Sequence, residues 1–242
     1  IVYTSDGKML AAVGGAPAQF GEVQLWDTSA NTLMKSIRTT YDTLYGGSFS
    51  PDGQLLAFGC ADKTARVIAV SDGKEKIKFD NHSDWVFGTT FSKDGKHLVT
   101  GSRDQALKLV EVKSGSFIDD INASNKGYGG IRSIARHPKV DHVLCAGDDQ
   151  VPRLYQIFRQ KTRDLPNTDF NLIRAFERQA GPVNAVAFSP DGTRIVVAGA
   201  SGEAHVYNVE DGKLVATLKG DSVATFTVAF HPDGQPIAMG GF

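Results

Sequence analysis

One turn is written five times along this chain. Phe49-Ser50-Pro51-Asp52-Gly53, Phe91-Ser92-Lys93-Asp94-Gly95, Phe188-Ser189-Pro190-Asp191-Gly192 and Phe230-His231-Pro232-Asp233-Gly234 share it with Tyr3-Thr4-Ser5-Asp6-Gly7. The interval is roughly 40–50 residues, the period of repeat architectures. The gap from Gly95 to Gly192 holds two intervals, and a worn copy, Ala135-Arg136-His137-Pro138-Lys139, stands near its middle. Repeats of this length are supersecondary units that cannot bury their apolar faces alone, so the period constrains the fold more than any single residue does.

Each turn has a mechanical basis. Proline presets φ, aspartate hydrogen-bonds its own backbone, and glycine accepts the positive φ that closes a hairpin. Short runs rich in Val, Ile, Leu and Phe flank every copy and read as strands. In the fifth unit these are residues 183–189, 194–199, 203–209 and 213–218; in the second, 44–50, 55–59, 65–70 and 74–79. The third unit gives 85–92, 97–101, 106–112 and 116–121, and the first 9–13, 22–26 and 33–37 after a strand end at 1–3. The sixth stops after its second strand, so the segment reads as part of a longer polypeptide. One all-β domain of about five and a half units is expected, with boundaries near 1–40, 41–82, 83–125, 126–180, 181–222 and 223–242.

Composition narrows the function classes. The 242 residues are 41% hydrophobic and 22% charged, an ordinary globular balance. A formal net charge of −1 supplies no global field toward nucleic acid or an anionic membrane, and neither partner is expected. No apolar run reaches the roughly 18–20 residues of a membrane span. Cys60 and Cys145 lack haem-attachment or zinc spacing and read as small buried strand residues, and the six histidines lack zinc spacing too. Asn81-His82-Ser83 and Asn122-Ala123-Ser124 have glycosylation spacing, a motif short enough to arise by chance. Asp119-Asp120 and Asp148-Asp149 read as surface and turn carboxylates, since no calcium-loop spacing surrounds them. Gly127-Tyr128-Gly129-Gly130 precedes a strand, which argues against a phosphate cradle.

Glu22-Val23-Gln24-Leu25-Trp26-Asp27 resembles the third strand of a WD repeat, with its Trp-Asp pair. Gly101-Ser102-Arg103-Asp104 is similar to the turn between the second and third strands, and Asn81-His82 stands where that family places Gly-His. The resemblance covers essentially the whole chain. It implies a β-propeller of four-stranded antiparallel blades, here a fragment of a seven-bladed ring. It also implies a structural hydrogen-bond network of His82, Thr100 and Asp104, with Val110 where the family has tryptophan. Ile68, Tyr155 and Tyr207 replace that tryptophan elsewhere. Residues 147–159 and 171–174, with Gln19–Asp27 and Phe58–Asp62, resemble the WD-repeat region of large planctomycete-type bacterial proteins. Those proteins carry a c-type cytochrome domain, which implies export to the periplasm, the cytoplasm standing as the alternative. No Cys-x-x-Cys-His is present, so no cofactor is expected here, and haem c would belong to a neighbouring domain.

Two insertions break the period. Residues 15–21 lengthen the turn between the second and third strands of the first unit, and residues 158–171 enlarge the connection between the third and fourth strands of the fourth. The second, with its flank, carries Arg153, Arg159, Lys161 and Arg163 against Asp164 and Asp169. It reads either as a docking loop for an acidic protein partner or as a solvated loop or clamp over a neighbouring blade. Arg136 takes the place of a phenylalanine in the other turns; if buried, it needs a carboxylate or carbonyl partner, and the alternative is a solvent-facing position. Trp85 and Tyr128 read as exposed contact aromatics or as packing. The function expected is a non-catalytic protein-interaction scaffold within a larger bacterial protein. The alternative is a ligand-binding, redox or enzymatic role at a central channel, since propellers host both.

Overall fold

The computed structural model describes residues 1–123, 127–160, 169, 171–220 and 223–241, and every regular element among them is a strand. The first sheet comprises β1 (Val2–Tyr3), β2 (Met9–Ala16), β3 (Phe20–Asp27) and β4 (Thr32–Thr40), and the second β5 (Leu44–Phe49), β6 (Leu55–Cys60), β7 (Ala65–Ala69) and β8 (Glu75–Phe79). The third contains β9 (Val86–Phe91), β10 (His97–Ser102), β11 (Leu107–Glu111) and β12 (Phe117–Asp120). The fourth is β13 (Ile131–Arg136), β14 (His142–Gly147), β15 (Arg153–Gln156) and β16 (Leu172–Ala175). The fifth is β17 (Val183–Phe188), β18 (Arg194–Gly199), β19 (Glu203–Asn208) and β20 (Leu214–Lys219), and β21 (Thr225–Phe230) pairs with β22 (Ile237–Gly241). Each sheet is an antiparallel meander in chain order, the form expected of propeller blades.

The chain forms two compact units, Ile1–Asp104 with Lys108–Asp119, and Gln105–Leu107 with Asp120–Phe242. In the first unit, Ala11, Val23 and Leu25 of the first sheet bury themselves against Leu44, Leu56, Phe58 and Ile68 of the second. Ala57, Val67 and Ile77 on the second sheet's other face meet Val86, Phe91, Leu98 and Val110 of the third. In the second unit, Leu144 and Leu154 pack on Val186, Ile195 and Val197, while Val196, Ala198 and Val206 pack on Val228. Full burial of each large apolar side chain contributes about 1.5–3 kcal/mol, and both faces of an interior sheet draw on it.

The insertion at residues 15–21 differs from expectation. It prolongs the β2–β3 ladder, with Gly14 opposite Glu22, Gly15 opposite Gly21 and Ala16 opposite Phe20. Only Pro17, Ala18 and Gln19 remain in the turn, because Ala18 takes the left-handed conformation (φ 55°) that closes it. Residues added in pairs extend a hairpin without loosening it.

The repeated turn is built the same way in several sheets. Ser50 Oγ donates to Asp52 Oδ1 at 2.6 Å and accepts Leu55 N–H at 2.9 Å, while Asp52 Oδ1 accepts Gln54 N–H at 3.0 Å. Ser189, Asp191, Thr193 and Arg194 repeat these contacts, and Thr4, Asp6, Lys8 and Met9 do so with a threonine. The serine hydroxyl foremost, then the backbone N–H, hold the Asp52 and Asp191 carboxyls below the usual range.

Basic side chains on outer strands also grip the following sheet. Lys35 of β4 donates to the carbonyls of Val70 and Ser71, and Arg174 of β16 donates to those of Glu210 (2.6 Å) and Asp211 (3.2 Å). The carbonyl two residues before the turn glycine, Ser71 O in one case and Glu210 O in the other, therefore receives a cation in both.

The worn turn has its own solution. His137 takes the serine's place, and its Nδ1 accepts the N–H groups of Lys139 (3.1 Å) and Val140 (3.2 Å). Nε2–H then donates to Gly192 O at 3.1 Å, in the next sheet's turn. A Cβ on Gly192 would lie 2.4 Å from this ring, so glycine serves here for close approach as well as for its φ of 77°. Arg136 is half-buried and has a carbonyl partner, donating from Nη1 to His137 O at 2.9 Å.

Burial foremost, then Arg136 and Lys139, pull the His137 pKa below 6.5, while Gly192 O and Asp191 oppose the shift. The unfolded chain therefore takes the proton first. The stability is fully present above about pH 6.5 and is lost as pH falls through the lowered folded value. His142, also lowered by burial, adds in the same direction. His137→Ser, which restores the residue of the other turns, is expected to reduce the loss of urea resistance between pH 7.5 and pH 5. Equal losses in the two proteins would rule out this histidine as the source.

Candidate functional site

The most catalytic-looking constellation sits in the third sheet. His82 Nδ1 donates to Asp104 Oδ2 at 2.8 Å, and Nε2 lies 2.7 Å from Thr100 Oγ1. A carboxylate only accepts, so with the ring neutral Nε2 accepts the threonine proton. Asp104 Oδ2 also takes Ser83 N–H at 2.9 Å, and Ser102 Oγ accepts Asp104 N–H and donates to Asp84 O, each at 3.1 Å. The His82 side chain is 0% exposed and that of Asp104 8%, so the chain leaves no room for a substrate beside the imidazole. Val110, at the tryptophan position, is fully buried and adds no polar group.

Tyrosine fills that position in the fourth and fifth sheets, and a buried hydroxyl needs a partner. Tyr155 Oη donates to Asp169 Oδ2 at 3.0 Å, and Asp169 Oδ1 accepts Ala123 N–H at 3.0 Å. Tyr207 Oη accepts from Gln179 Nε2 at 2.9 Å, and Gln179 Oε1 takes the Nδ1–H of His205 at 2.5 Å. Gln179 drew no attention in the sequence, and Asp169 was read there only as an acidic residue of the insertion, not as the partner of a buried tyrosine. The signal available in the sequence was the tyrosine itself, whose hydroxyl requires a donor or acceptor nearby. Cys60 and Cys145 are both free and buried, and burial pushes their thiols up to about 11 and about 12.

Both aromatics singled out in the sequence lie beneath an arginine. Tyr128 has the Arg153 guanidinium 3.8 Å from its ring centroid, and Trp85 has that of Arg103 at 4.6 Å. Arg153 pairs with Asp149 at 2.5 Å and its side chain is only 12% exposed. Arg159 Nη2 reaches Asp120 O at 3.4 Å. Arg153 is therefore held inward between Asp149 and Tyr128; Lys161 and Arg163 lie outside the described residues. Among the described residues, no group of three or more His, Cys, Asp or Glu side chains is arranged to hold a metal ion.

Sequence comparison agrees with this construction. Residues 34–68 and 73–110 match the family described as WD domain, G-beta repeat, and residues 157–239 match the Anaphase-promoting complex subunit 4 WD40 domain. WD repeat-containing protein 1 of Rattus norvegicus is 28% identical over 165 residues, 65% of this chain and 26% of that protein. The Mus musculus protein of the same name has the same identity and coverage. The Intraflagellar transport protein 122 homolog of Homo sapiens is 40% identical over 58 residues, 24% of this chain and 5% of that protein. The chain thus carries WD40 repeats, and the matches span no more than about a quarter of these relatives' lengths.

If the His82 group holds the third sheet together, Asp104→Ala should cost about 1–3 kcal/mol, because it strands a buried N–H. Urea unfolding followed by fluorescence measures this. An unchanged midpoint would show that the group carries no structural weight.

Proposed function

We propose that this chain is a non-catalytic protein-interaction module of a larger multidomain protein, binding partners through the loops that connect its sheets. WD40 repeat proteins generally act as protein-interaction scaffolds, which sets the background for the reading. The observation that carries it is the burial of the triad-like His82, Thr100 and Asp104 group found among the described residues. A nucleophile and base need an exposed cleft, and His82 has none. Both thiols are buried with raised pKa values, which removes them as nucleophiles at neutral pH.

The basic insertion remains part of this proposal as a docking loop for an acidic surface. Replacing Arg159, Lys161 and Arg163 together with alanine is expected to weaken cross-linked capture of partners from the source organism and to leave the melting temperature unchanged. Capture that is equally strong in the variant removes the loop from the proposal. Failure of the unmodified chain to capture any partner counts against the scaffold reading itself.

The bacterial, cytochrome-bearing parent protein belongs to the same proposal. It is supported by the likeness of Gly147-Asp148-Asp149-Gln150-Val151-Pro152-Arg153 and its continuation, whereas the relatives described above are mammalian. The reading frame flanking this segment should encode Cys-x-x-Cys-His. A complete frame without that motif excludes the haem domain.

A further inference from the structure

The first unit carries an aromatic platform that the packing leaves partly uncovered. Tyr45 at the start of β5, Trp85 just before β9 and Phe87 within β9 touch one another. Tyr45 and Trp85 are stacked at 6.2 Å (22° between planes), Tyr45 meets Phe87 at 5.0 Å (63°), and Trp85 meets Phe87 at 6.0 Å (79°). The backbone fixes this group. Gly46, at φ 45°, lets β5 come so close to β9 that a Cβ would lie 2.1 Å from Phe87 O, and Thr89 Oγ1 donates to Gly46 O at 2.7 Å. Trp85 nevertheless remains 36% exposed.

Cations with unused donors border the platform. Arg103 lies over the Trp85 ring at 4.6 Å, and its Nε donates to Asp84 Oδ2 at 2.8 Å. Among the described residues, Nη1 and Nη2 of Arg103 have no acceptor, and the exposed Lys63, which acts electrostatically on Asp84, has no ion pair. The nearby carboxylates are already engaged: Asp84 takes Trp85 N–H at 2.8 Å as well as Arg103, and Asp42 takes Ala18 N–H (3.1 Å) and Thr43 N–H (2.8 Å). A ligand must therefore bring acceptors to the cations and an apolar group to the ring. A guanidinium held between a ring and a carboxylate is pre-organised for a second, bidentate carboxylate.

We infer that Trp85, Tyr45 and Phe87, with Arg103 and Lys63, form a docking surface for an acidic extended peptide, its carboxylate on Arg103 and an adjacent aromatic or proline side chain on Trp85. This inference rests on the interaction-module reading and names the partner's chemistry. Single-stranded nucleic acid also offers anions and stacking faces. The net charge of −1 gives it no long-range attraction to the chain, so the peptide is favoured.

The test is selection of a random peptide library on phage against the purified chain, followed by anisotropy titration of the enriched peptides carrying fluorescein. Asp or Glu beside an aromatic residue or proline is the expected consensus. Arg103→Gln and Trp85→Ala should each weaken binding at least about tenfold, and Lys8→Ala should leave it unchanged. Trp85→Phe, which keeps a ring in place, serves if Trp85→Ala lowers the melting temperature. A basic consensus overturns the inference, as does peptide binding indifferent to Arg103 and Trp85; either leaves the scaffold reading intact. A library that yields no binder also overturns it, and the scaffold reading is then judged by cross-linked capture alone. Labelled oligodeoxythymidylate that binds in an Arg103-dependent manner, where peptides do not, replaces the peptide with nucleic acid.

Discussion

Burial of one sheet's face against the next underlies everything else in this protein. A four-stranded meander has two apolar faces and no core, so Ala57, Val67 and Ile77 are useful only because Val86 and Leu98 cover them. Turn chemistry, the polar networks and the aromatic platform are all positioned by that stacking. The basic clamps are consequences of it: Lys35 and Arg174 find the following sheet's carbonyls because the apolar faces have already set the spacing.

In the networks around His82, Tyr155 and Tyr207, polar groups are placed so that stacking leaves them satisfied. His82 fills the hydrogen-bonding needs of a buried pocket, and where tyrosine replaces the usual tryptophan, Asp169 and Gln179 supply the extra partner. His137 shows how tolerant the design is. It lacks the serine's hydroxyl, yet its unprotonated Nδ1 accepts two N–H groups and its other nitrogen reaches the next turn. The substitution keeps the turn and adds a dependence on protonation that a hydroxyl would not have.

Interaction chemistry follows from what the stacking leaves over. Arg153 is consumed by Asp149 and Tyr128 and is nearly covered, whereas Arg103, in a comparable arrangement on Trp85, keeps donors exposed. Similar residues serve packing in one place and offer a surface in the other. The difference lies in how much neighbouring chain covers them.

The strands and their order were legible because apolar alternation is local and the turn ending in Asp-Gly recurs five times. The approach of His82, Thr100 and Asp104 was legible through family resemblance, since their spacing matches a repeat whose geometry is fixed. The prolonged β2–β3 ladder was not, because an inserted segment's pairing depends on register and not on composition. Nor was the inward turn of Arg153, nor the contact of Tyr45 with Trp85 and Phe87 across a gap of some forty residues. The sequence by itself determined the repeat, the sheets and their apolar faces, because hydrogen-bonded turns and two-residue periodicity act within a few residues. Tertiary structure alone decided which arginines and aromatics stay uncovered, because exposure depends on what a distant strand places against them.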